Sequence, residues 1–98
     1  MPTTLFITRD VEDRFRGYLS TVALELTAGV YLSPRMSVAV RVRTWAVLTE
    51  WHAALGSGSV TMAWPDPSRS GGVGLMILGD PPRDIVDMDG VLCVLRHK

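Results

Sequence analysis

Thr4–Gly17, TLFITRDVEDRFRG, is the stretch on which the fold turns. Thr4 to Thr8 are apolar and β-branched enough to read as a short strand. Arg9 and Asp10 break it, and from Val11 the pattern becomes helical. Phe15, Leu19, Val22 and Leu26 recur at helical spacing and predict a buried stripe. Asp10 is placed to cap this helix, with Glu12 and Asp13 adding negative charge to its first turn. Arg14, Tyr18 and Thr21 fall on a neighbouring face. Arg14 and Arg16 are two residues apart, so they straddle the stripe and would reach one ligand from either side. A strand that stops at an acid before an arginine-bearing helix suits two chemistries. It can hold a metal at the strand end, or it can offer guanidinium groups to phosphate.

Outward from this stretch, Thr27, Ala28 and Gly29 end the helix, with Gly29 as a left-handed cap. Val30 to Leu32 is a short strand, Ser33-Pro34 a turn, and Ser37 the cap of a second helix. Val38, Val42, Trp45, Leu48 and His52 follow the helical period, and GSGS at 56–59 stops the helix near Gly56. Val60 to Trp64 and Val73 to Leu78 read as a hairpin joined by the long loop PDPSRSGG. Gly79 to Arg83 turns again, and Val91 to Leu95 is a last strand. Two helices interleaved with strands over one face of a mainly antiparallel sheet is α+β, ferredoxin-like in outline. One strand between the helices is fewer than that outline requires.

The chain of 98 residues is one domain, 1–98, with one core and little margin, so a partner subunit is expected. A hydrophobic share of 47% and a mean hydropathy of +0.21 leave apolar surface for oligomerisation. No apolar run approaches the ~20 residues of a membrane helix, and the N-terminal residues carry no secretory pattern. Cytoplasmic location and no membrane partner are the expectations. Cys93 is alone within a strand-like run, so it makes neither a disulfide framework nor a zinc site.

Net charge is zero, which excludes a protein that is basic all over. Nine of the ten cations are nevertheless arginine, the residue suited to bidentate phosphate contact. Six of them (9, 14, 16, 35, 41, 43) precede Glu50 and face only four acids there. A basic face on a neutral body fits this pattern, as does ordinary arginine-rich coding.

No glycine-rich phosphate loop, nucleophile elbow or Cys/His zinc spacing is present. His52 and His97 are isolated, His52 on a helix face and His97 in the tail. Asp84, Asp87 and Asp89 in DIVDMDG lack the alternation and the closing Glu of a calcium loop, and read as a polar turn into the last strand. In a symmetric dimer, two Asp10 carboxylates facing each other would hold one Mg²⁺ and activate water for phosphodiester cleavage. The plainer reading of Asp10 is a helix cap. For Arg14 and Arg16 the alternative to phosphate binding is pairing with Glu12 and Asp13.

Five segments together resemble the small second core protein of CRISPR adaptation in its type I-E form, a family often described as a metal-dependent endoribonuclease or endonuclease. They are VEDRFRGYL after the first strand, LTAGVYL at 26–32, VRVRTW around Arg41 and Trp45, TMAW at 61–64, and VDMDG at 86–90. None is specific alone, but their shared order and spacing over nearly the whole chain is. The resemblance implies a ferredoxin-like protomer in a two-fold homodimer, with the C-terminal strand and tail, 91–98, extending the partner's sheet. It implies a dimer seated between larger CRISPR integrase subunits, bracing the duplex DNA of a prespacer for insertion at the CRISPR repeat. The tail is then the expected docking surface for that subunit.

The positions matching the family's backbone-contacting arginines are Arg14, Arg16 and Arg83. Pro82 stands where the resemblance expects a further basic residue, and Ala39 where relatives can carry a lysine, for which Arg35, Arg41 or Arg43 would compensate. The family's strand-end acid aligns with Arg9, one place before Asp10, and a one-residue slip reverses the face of a strand. A non-catalytic DNA brace is therefore expected. The rival is a Mg²⁺-dependent nuclease on Asp10, and a third class is a sensing or plain assembly domain, since such folds host many functions.

Overall fold

A computed structural model describes residues 3–79, 84–88 and 91–95. Thr4–Arg9 forms β1, Asp13–Val22 α1, Leu24–Thr27 β2, Val30–Ser33 β3, Val38–Leu55 α2, Ser59–Pro65 β4 and Val73–Leu78 β5. Asp84–Met88 (β6) and Val91–Leu95 (β7) follow. The first five strands make one sheet in the order β2-β3-β1-β4-β5, and every neighbouring pair is antiparallel. This is the expected ferredoxin-like α+β arrangement, with β5 added beside β4.

The strand that the sequence reading lacked between the helices is β2. The predicted stripe carried α1 on to Leu26, but the helix ends at Val22 and Ala23 is already extended (φ −149°, ψ 165°). Leu24–Thr27 turns back on β3 through Ala28-Gly29, with Glu25 opposite Tyr31 and Thr27 opposite Val30. Gly29 has φ +82°, as the cap reading required, yet it sits in a hairpin turn and not at a helix end. A Cβ there would come within 2.7 Å of the Thr8 carbonyl oxygen, so the turn also needs glycine in order to lie against β1.

Alternation along the strands sorts the sheet into two faces. Phe6, Tyr31, Val60, Met62 and Trp64 point to one side and meet Phe15 and Leu19 of α1 and Met36, Trp45 and Leu48 of the α2 segment. Both helices therefore cover this face. Cross-strand neighbours show how the core is keyed, since Phe6 lies opposite Tyr31 on one side and Met62 on the other. Trp64 lies opposite Gly74, where any Cβ would run into the indole ring, so the missing side chain is the seat of the tryptophan. The other face carries Leu5, Leu32 and Ala63 in one row and Ile7, Thr61 and Ile77 in the next. Ile7 is 44% exposed and Ile77 38%.

Helix α2 starts and stops as its sequence predicts. The Ser37 side chain accepts from the Val40 N–H at 3.2 Å, a cap worth about 1 kcal/mol, and Gly56 closes the helix in the left-handed region. Its inward face differs from the predicted one. Thr44, Trp45 and Leu48 are buried, whereas Val38 and Val42 are exposed. The apolar period at the helix start continues past the area the sheet can cover. The β4–β5 connection is bonded internally, through Asp66 N–H to Gly72 O, Arg69 N–H to Asp66 O and Gly72 N–H to Arg69 O. DIVDM, read as a turn, is strand β6, and it pairs with β7 from Asp84 opposite Leu95 to Met88 opposite Val91. Among the described residues this hairpin is a two-stranded sheet of its own.

Candidate nucleic-acid interface

The end of β1 does not begin a cap. Asp10 has φ +55° and Glu12 stands at the N-cap position without a side-chain cap bond; only Asp13 lies in the first turn. The Asp10 side chain is therefore one of the few that tolerate the left-handed region, serving a backbone bend. That bend is packed tightly. A Cβ on Gly58, at the entrance to β4, would meet the Asp10 carbonyl oxygen at 2.5 Å. The His52 ring secures the same spot, with Nε2 3.1 Å from the Gly58 carbonyl oxygen, the distance of a donated hydrogen bond. His52 is thus a structural tie on a helix end.

The Asp10 carboxylate projects into solvent with Arg9 Nε 3.9 Å away. A single exposed carboxylate beside a guanidinium is by itself a poor donor set for Mg²⁺, which prefers several oxygen ligands. Among the described residues no group of three His, Cys, Asp or Glu side chains converges.

One turn later the arginines divide as the spacing predicts, on opposite sides of buried Phe15. Arg14 leans toward α2, with its guanidinium carbon 5.4 Å from the centroid of the Trp51 ring. That ring is held edge-on by Phe15 (5.7 Å, 80°) and Tyr18 (5.4 Å, 70°). Arg16 leans toward β2, where its Nη2 lies 3.8 Å from Glu25 Oε2. The Tyr31 hydroxyl first, and then the Glu25 carboxylate, raise the Arg16 guanidinium above its ordinary pKa. Neither Glu12 nor Asp13 forms an ion pair with either arginine.

A second stacked arginine lies at the other end of α2. The Arg41 guanidinium carbon is 4.3 Å from the centroid of the Trp64 ring, and Arg69 of the β4–β5 loop reaches the same ring at 5.4 Å. Arg69 is also tied through Nε to Asp66 Oδ2 at 3.0 Å. Ser68 bonds the Asp66 carboxylate as well and is the main reason its pKa falls below the ordinary value of 3.8. Among the described residues no carboxylate pairs with Arg14, Arg35, Arg41 or Arg43. Arg35 and Arg43 are exposed, as is Ala39 near the start of α2. Arg83, Pro82, Asp89 and His97 lie outside the described residues.

The aromatic seats escaped the sequence reading. Trp51 is far from Arg14 in the chain and Trp64 far from Arg41, so no local spacing links either pair. Glu25 was hidden for a different reason, being assigned to a helix that ends before it.

Residues 3–93 match the family described as CRISPR-associated protein (Cas_Cas2CT1978). The chain belongs to this family. The match runs from β1 into β7 and takes in Asp10, both α1 arginines, both stacked tryptophans and Arg83. No curated protein matches the chain. A CRISPR-associated role follows from the family, and the fold is the one expected for it. No described helix is long and apolar enough to cross a membrane.

Proposed function

We propose that this CRISPR-associated protein is a homodimeric, non-catalytic subunit of spacer acquisition, of the type I-E form. In this reading it holds the duplex backbone of the prespacer for a larger integrase subunit. The observation that carries the proposal is the start of α1, where Arg14 and Arg16 flank a buried phenylalanine and Arg14 has no carboxylate partner among the described residues. Guanidinium groups so placed grip phosphates and read no base edges, so binding is sequence-tolerant and falls steeply with salt. Arg35, Arg41 and Arg83 are further candidates for the same surface.

The dimer is supported by the second face of the sheet. Its rows of Leu5, Leu32, Ile7 and Ile77 suit a second copy of the chain, and the two-stranded β6–β7 sheet gains stability if it extends a partner's sheet. The nuclease reading draws less from the geometry, because Asp10 offers a single exposed carboxylate with the Arg9 guanidinium 3.9 Å away.

The test is duplex binding by the purified protein across a salt series, compared with the Arg14→Ala/Arg16→Ala variant. The variant should keep its fold by circular dichroism and lose about tenfold or more in affinity. The slope of log affinity on log salt should fall by about 0.9 for each phosphate that the variant no longer neutralises. Equal affinity and slope at physiological salt reject the proposal.

A further inference from the structure

Trp51 has no assigned role, yet it is the surface on which Arg14 rests. We infer that Trp51 is a positioning residue for phosphate capture, holding the Arg14 guanidinium over its ring where no described carboxylate takes up its N–H donors; this rests on the DNA-holding reading above. A guanidinium has two kinds of surface. Its flat face is weakly hydrated and stacks on aromatic rings, while its donors all point outward in the molecular plane. The Arg14 guanidinium carbon stands over the Trp51 ring at 5.4 Å, and among the described residues no carboxylate engages its donors, which leaves them available to a bidentate phosphate.

The contrast with Arg16 shows why the seat matters. Arg16 is engaged from its donor side, by Glu25 at 3.8 Å, and a phosphate must compete with that carboxylate. Arg14 meets no such competitor among the described residues. The seat is itself fixed. Trp51 is half-buried and braced by Phe15, which is fully buried, and by Tyr18, one turn on from Arg14 along the same side of α1. A long side chain that would otherwise sample many rotamers is thereby restricted before the ligand arrives, and less conformational freedom is lost on binding.

The experiment is a double-mutant cycle on duplex affinity with Trp51→Leu, Arg14→Ala and the pair, each measured over a salt series. Trp51→Leu should weaken binding about 2- to 5-fold, the range of an exposed cation–π contact, and leave the salt slope unchanged because no charge is removed. Arg14→Ala should weaken binding more and lower the slope. In the Arg14→Ala background Trp51→Leu should have no further effect, and Trp51→Phe should restore most of the loss when Arg14 is present. Should Trp51→Leu fail to fold, the cycle is run with Trp51→Phe, whose weaker ring should give a smaller loss confined to the Arg14 background.

A Trp51 effect of equal size without Arg14, or no effect where Arg14→Ala has one, overturns the inference alone. Absence of salt-dependent duplex binding by the unmodified protein, or an inert Arg14→Ala, overturns the reading beneath it.

Discussion

The two faces of the five-stranded sheet are built from the same strands and solve different problems. On the helix-covered face the large apolar and aromatic side chains are buried against one another, and arginines lie over tryptophan rings at its margins. On the opposite face the alternate residues of the same strands are mostly aliphatic, and several remain open to solvent, Ile7 and Ile77 among them. An alternating strand with apolar residues on both sides expects cover on both sides. The difference indicates that the first face was completed by this chain's own helices and the second requires something else. Under the proposed function, cations face the nucleic acid and aliphatics face a second copy.

The largest effect should come from the seat of Trp64. Gly74→Ala places a methyl group inside the indole ring, which is 5% exposed and lies under Arg41. The ring or β5 must move, and overpacking of this kind costs about 1–3 kcal/mol. Urea unfolding followed by tryptophan fluorescence reads the loss directly. A wild-type midpoint would mean that the helix-covered face is less tightly keyed than its geometry indicates, and the contrast with the open face would lose its basis.

A smaller effect on folding, but a decisive one on assembly, is expected from the open face. Ile7→Lys combined with Ile77→Lys adds two charges to rows that are already solvent-accessible in the protomer, so the fold should survive. Under the proposed function the unmodified protein should sediment as a dimer, and the variant as a monomer of about the 10.7 kDa chain mass. A variant that remains dimeric assigns the interface elsewhere, to strand edges and not to this face.

How far these faces were legible from sequence differs along the chain. The core of the helix-covered face was readable in Phe15, Leu19, Trp45 and Leu48, because periodicity reports burial directly. Strand β2 was not. Ala23, Leu24, Glu25 and Leu26 are all acceptable helix formers, and Leu26 falls where the stripe of α1 would continue. Pairing with β3 and the Gly29 turn override that preference, and both are tertiary facts. The arginine sites were half legible. Spacing correctly put Arg14 and Arg16 on opposite sides of Phe15, but it could not show that one would meet an aromatic ring and the other a carboxylate. Val38 and Val42 erred in the opposite direction, since a period cannot say where the covering sheet ends.

Asp10 follows the end of β1, the central strand of the sheet, and it separates the smallest effects. Aspartate is a signal both for a helix cap and for a left-handed residue, and for a strand-end metal ligand as well, so its presence alone could not choose among them. Its φ of +55° and the close approach of Gly58 now favour the backbone role. That role is shared by asparagine and glycine but not by alanine, whereas a metal-ligand role is lost in all three. Asp10→Asn should therefore leave thermal stability, duplex binding and spacer integration unchanged. Asp10→Gly should raise stability by a few tenths of a kcal/mol to about 1 kcal/mol, and Asp10→Ala should lower it by about 1 kcal/mol. Mg²⁺-dependent cleavage that the purified protein shows and Asp10→Asn lacks would reverse this assignment, because asparagine keeps the bend and removes only the charge.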